Sequence, residues 1–98
     1  MASYRVTELA EQDLLKIWRY TAVHWNVDQA ESLIRLFQQR FVSLAYQPFQ
    51  GRSRPELGPD YRSVPLSSFL IIYRPTDYGV LILHVVHGRR RLEFLFQR

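Results

Sequence analysis

The sequence contains no cysteine, so neither a disulfide framework nor a thiolate metal site is open to it. Lysine is nearly missing as well: of 13 basic residues only Lys16 is a lysine, and the rest are arginines. No apolar run approaches the roughly 20 residues that a membrane-spanning helix needs. The opening Met1-Ala2-Ser3-Tyr4-Arg5-Val6 lacks the charged and apolar regions of a secretory signal. A soluble, cytoplasmic chain with no membrane partner is the expectation. The signature of disorder is missing too, since apolar residues make up 47% of the chain and aromatics 14%. Ninety-eight residues match the commonest domain size, and residues 1–98 are expected to form a single domain.

The usual catalytic constellations are also absent. There is no Gly-rich phosphate loop, no GxSxG elbow and no HExxH spacing. His84 and His87 stand three apart in a strand-like segment, which under strict alternation sends them to opposite faces. No metal and no cofactor are expected. Paired carboxylates for acid–base work are lacking, because Asp60 and Asp77 fall in turns and Glu56 is isolated in an arginine-bearing loop.

What the chain has is two helical stripes followed by strands. Tyr4 to Val6 reads as a short strand, and Thr7 as a helix N-cap with Glu8 and Glu11 in the first turn. Leu9, Ala10, Leu14, Ile17, Thr21 and Trp25 recur at three- and four-residue steps, with Trp18 flanking that stripe. Asp28 and Glu31 have the capping-box spacing. They open a second stripe through Ala30, Leu33, Ile34, Phe37, Phe41, Leu44 and Ala45, ending near Tyr46. The short Asn26-Val27 connection makes the two helices an antiparallel hairpin. Pro48 to Pro59 reads as a long loop. Strands are expected at Tyr61–Val64, Ser68–Arg74 and Val80–His87, with turn chemistry at 75–79. Both longer strands are apolar at successive positions, which implies cover on each face. The helix hairpin supplies one cover; the other is not evident from the sequence.

The formal charge of +4 is concentrated in the strand half, in Arg52, Arg54, Arg62, Arg74, Arg89, Arg90, Arg91 and Arg98. Arginine suits planar recognition of phosphate or carboxylate, so a nucleic acid or an acidic protein surface fits as partner. Metal-free RNA cleavage stays open, with Arg52, Arg62, Arg74, Arg89 and His87 as cations and titrating group. Arginine is a poor base, however, and binding is the favoured use of the cluster. The run Leu92-Glu93-Phe94-Leu95-Phe96 either packs back on its own sheet or presents an apolar patch to a partner helix.

Taken in order, these residues resemble a known family. Tyr4-Arg5-Val6-Thr7, Ala10, Asp13-Leu14, Ile17, Tyr20-Thr21, Trp25, Gln29-Ala30, Phe41, Leu44-Ala45 and Pro48 carry the first part of the match. Gly51-Arg52, Tyr61-Arg62-Ser63, Ile72-Tyr73-Arg74, Gly79-Val80 and His87-Gly88-Arg89 carry the rest. The chain is similar to ParE-type toxins of the RelE/ParE toxin–antitoxin superfamily. That resemblance implies an α+β fold: an N-terminal strand, an antiparallel helical hairpin and a three-stranded antiparallel sheet. It further implies a toxin that inhibits growth by binding DNA gyrase, stabilises plasmids, and is neutralised in a hetero-oligomer by a ParD-like antitoxin. DNA would be met only through that antitoxin. Target contacts would come from Arg52, Arg54, Arg62, Arg74, His87, Arg89, Arg90 and Arg91, and antitoxin contacts from Leu92, Phe94, Leu95 and Phe96. The alternatives are a RelE-type ribosome-dependent mRNA endonuclease and a non-toxic interaction component of the same fold.

Overall fold

The computed structural model describes residues 2–88. Arg89 to Arg98, and with them the expected contacts of Arg89, Arg90, Arg91, Leu92, Phe94, Leu95 and Phe96, lie outside the described residues.

Strand β1, Ser3–Val6, alternates: Tyr4 and Val6 pack on the main core while Ser3 and Arg5 are exposed. Thr7 then turns the chain into helix α1, Glu8–His24. Its hydroxyl accepts from the Ala10 N–H at 3.1 Å and donates to the Leu83 carbonyl at 3.0 Å. The expected cap therefore also ties the helix start to the last strand. The apolar stripe is narrower than its spacing implied. Ala10 is buried and Leu14 and Ile17 are half-buried, but Leu9 is 56% exposed and Trp25 is 74% exposed just past the helix end. Trp18 is half-buried, as a flanking residue should be.

Helix α2, Val27–Tyr46, has its N-cap two residues earlier than the capping-box spacing suggested. Asn26 is the N-cap, with an extended backbone and a side chain accepting from the Gln29 N–H at 2.8 Å. Asn and Asp cap equally well. Asn26 wins because the chain is already extended there, and Asp28 is left in the first turn, where its charge meets the helix dipole. The second stripe holds as read: Ala30, Phe37, Phe41, Leu44 and Ala45 are all buried.

The strands form one five-stranded sheet in the order β1-β5-β4-β3-β2. The three antiparallel strands expected are β3 (Arg62–Leu66), β4 (Phe69–Thr76) and β5 (Gly79–His87). Two edge strands extend them. β1 pairs parallel to β5, and a two-residue β2, Arg52–Ser53, pairs with β3 inside the stretch expected to be loop. Both helices pack on one face of the sheet, around Phe37, Phe41, Ile71, Tyr73, Val80 and Ile82. On the opposite face the loop after β2 folds back. The Arg54 N–H donates to the Tyr61 carbonyl at 2.7 Å, and Leu57 is tucked against Ile72 and Val86. That loop supplies the cover the sequence left open, over part of the open face only. Among the described residues, no helix is long and apolar enough to cross a membrane.

Candidate functional site

Strand register decides where each arginine of the second half points. Tyr73 is fully buried toward the helices, so its neighbours Ile72 and Arg74 face the other way. Arg52 pairs with Ser63, and Ser63 with Ile72, which puts Arg52 on that same open face. Arg52 and Arg74 are exposed, and neither side chain makes an ion pair or hydrogen bond to another described residue.

Arg54 and Arg62 are engaged in holding the chain. Arg54 Nε donates to Ser63 Oγ at 2.8 Å, and its Nη1 stands 3.5 Å from the Glu56 carboxylate. Arg62 Nη1 donates to the carbonyls of Gly51 at 2.7 Å and Phe49 at 3.3 Å, with its guanidinium over the Phe49 ring. Arg62 thus closes the chain leaving α2 onto β3, a structural duty that its charge alone did not disclose.

Tyr73 completes that closure from below. Its hydroxyl donates to the Pro48 carbonyl at 2.8 Å and accepts from the Gly51 N–H at 2.9 Å. A side chain on Gly51 would collide with that hydroxyl, so only glycine lets the backbone pass. Burial pushes the Tyr73 phenol up, partly offset by the Gly51 N–H and the Arg62 charge. Tyr73→Phe leaves two backbone groups unmatched and is expected to cost about 1–3 kcal/mol, read as a lower Tm. A phenol raised on folding holds its proton more tightly in the folded chain. Its contribution is therefore full below about pH 10, the unfolded value, and is lost as pH rises through the folded value. Above pH 10 the wild-type Tm should accordingly fall more steeply than that of Tyr73→Phe.

His87 stands apart from these arginines. It pairs with Phe69, and its ring meets the Phe69 ring edge-on at 5.9 Å. Arg74 lies five residues further along β4, roughly 17 Å away at the rise of a strand. His87 instead lines a groove of about 570 Å³ between α1 and the β4–β5 end, with Asp13, Lys16, Ile17, Tyr20, Phe69 and Val85. His84 also approaches α1, although the regular pairing from His84 to His87 keeps the alternation that the sequence implied. The pairing skips Leu83, passing from Ile72 with His84 to Tyr73 with Ile82, and runs regularly from His84 to His87. The His84 ring lies 3.3 Å from the Asp13 carboxylate, which also accepts the Val85 N–H at 3.0 Å. Sequence reasoning gave Asp13 no role, because the strand edge that it satisfies exists only once β1 has ended at Val6. Among the described residues, no group of three or more His, Cys, Asp or Glu could hold a metal ion.

A second groove, about 820 Å³, runs between the loop and the end of β4, lined by Phe49, Pro55, Asp60, Arg62 and Asp77. The second half of the chain therefore offers, among its described residues, two exposed open-face arginines, two structural ones, and a separate half-apolar groove bearing His87.

Residues 4–92 match the family described as ParE toxin of type II toxin-antitoxin system, parDE. Toxin ParE1 of Mycobacterium tuberculosis (strain H37Rv) is 34% identical over 87 residues, covering 88% of this chain and 89% of that protein. Toxin ParE1 of Caulobacter vibrioides is 32% identical, covering 89% and 90%. In structure, the chromosomal ParDE system from P. aeruginosa aligns with a TM-score of 0.75 at 24% identity, over 89% of this chain and 96% of that one. The RelBE2 toxin-antitoxin complex from Mycobacterium tuberculosis aligns with a TM-score of 0.60 at 24% identity, over 88% and 96%.

Proposed function

Because the chain belongs to the ParE toxin family of type II toxin–antitoxin systems, we propose that it inhibits DNA gyrase by binding it and is neutralised by a cognate antitoxin. The observation that carries the choice of binding over cleavage is the dispersal of the arginines and His87. Cleavage by 2′-hydroxyl attack needs a base, cations and an acid around one phosphate. Here Arg52 and Arg74 face one way, Arg62 is spent on two backbone carbonyls, and His87 lies at the far end of the sheet.

The antitoxin's place is the groove between α1 and the sheet. Ile17, Phe69 and Val85 give it an apolar floor, with Asp13, Lys16 and His87 at its rim. An amphipathic segment laid there would pass His87, and Leu92, Phe94, Leu95 and Phe96, which follow in the sequence, are proposed as further antitoxin contacts. Such a complex works in the cytoplasm, and DNA is met through the antitoxin. Expression of the chain alone in a bacterial host is expected to arrest growth, and co-expression of a cognate antitoxin to restore it. Normal growth on expression alone would favour a non-toxic interaction component. Primer-extension mapping of a translation reaction should show uncut mRNA; cuts lost in His87→Ala would establish the endonuclease instead.

A further inference from the structure

We propose that the toxin meets its target through the open face of the sheet, where Arg5 and Arg74 stand either side of Leu81, and that they grip an acidic protein surface with an apolar centre. The proposal rests on the gyrase-binding reading above and names the surface that performs it.

Register puts the three residues in one row. Arg5 pairs with Leu81 across the parallel β1–β5 ladder, and Leu81 pairs with Arg74 across β5–β4. Their neighbours Tyr4, Val80 and Tyr73 all face the helices, so the row faces outward. Two strand spacings separate the arginine backbones, about 10 Å. Both arginines are exposed and Leu81 is half-buried between them. Arg5 is also held in place: its guanidinium lies over the Tyr78 ring, 4.4 Å from the centre, in a cation–π contact. Of the neighbouring acids, Glu56 is engaged by Arg54 and Asp77 sits in the turn before Gly79.

The choice of a protein surface follows from composition. Interfaces between proteins favour arginine and aromatics over lysine and surround an apolar centre with a polar rim. This face has arginine with no lysine, a tyrosine behind Arg5, and leucine at the middle of the row. A phosphodiester chain would gain nothing from Leu81.

The test measures binding of the purified toxin to gyrase holoenzyme, without DNA, for wild type and variants of Arg5 and Arg74. The double variant Arg5→Glu/Arg74→Glu is expected to bind at least tenfold more weakly, and Leu81→Ala to weaken binding too. The single variant Arg19→Glu, on exposed α1, should change binding less than twofold. Both side chains exchanged in the double variant are exposed and the Arg5 contact with Tyr78 is worth about 0.5–1 kcal/mol, so its Tm should stay within about 8 °C of the wild type. A double variant that binds like a wild type that itself binds would overturn this surface while leaving gyrase as target. If wild type fails to bind gyrase at all, the target reading falls and this proposal with it. Binding to a DNA duplex alone that drops in the double variant, with gyrase binding unchanged, would mark the row as a phosphate site and overturn the protein partner.

Discussion

Gly79→Ala is expected to be the most damaging small substitution in the chain, costing about 3 kcal/mol or more. Gly79 opens β5 with φ +143, a backbone conformation that side-chain-bearing residues rarely adopt. It also pairs with Ser3, and a Cβ there would run into the Ser3 backbone carbonyl. Neither side can yield cheaply, because β1 is fixed at both ends. The Ser3 N–H donates to the Tyr78 carbonyl at 2.8 Å, and the Thr7 N–H donates to the Ile82 carbonyl at 3.0 Å. The variant must strain the turn or release β1, and β1 carries Tyr4 and Val6 into the core. A chain of this size loses about 4–8 °C of Tm per kcal/mol. Thermal unfolding should show a fall well beyond 10 °C, and release of β1 would appear as rapid amide exchange at Ser3 and Thr7, whose N–H groups donate to β5 and the turn before it.

Phe41→Ala is the second large effect, at about 3–5 kcal/mol. Phe41 is fully buried in the layer between α2 and the sheet. Its ring lies 5.4 Å from that of Tyr4 and 6.2 Å from that of Phe37. Truncation would open a cavity that β1, α2 and the sheet all line, and the packed strands leave little room for collapse. Denaturant unfolding should show a lower midpoint with an unchanged slope. An unchanged midpoint would contradict the placement of the core.

The helices and central strands were legible because their signals are local. Phe37, Phe41, Leu44 and Ala45 recur at helical spacing, and Thr7 caps as its chemistry directs. The N-cap of α2 was displaced because Asn26 and Asp28 are equally competent, and backbone conformation chose between them. Partnerships across long separations were not legible. Arg5 looks like the polar half of a short alternating strand until β1 lies beside β5 and brings it into line with Leu81 and Arg74. Charge alone marked Arg62 as a contact residue, whereas the carbonyls of Phe49 and Gly51 that engage it come together only in the fold. The opposite-face reading of His84 and His87 agrees with the regular pairing between them, whereas the approach of His84 to Asp13 depends on where α1 packs and was not legible.

Gyrase as the proposed target of this toxin is open to a supercoiling assay with purified protein and DNA gyrase. At stoichiometric toxin, supercoiling should be inhibited and gyrase–DNA cleavage complexes should accumulate, with the Arg5→Glu/Arg74→Glu variant markedly weaker. Undiminished supercoiling in stoichiometric excess of wild-type toxin would contradict it.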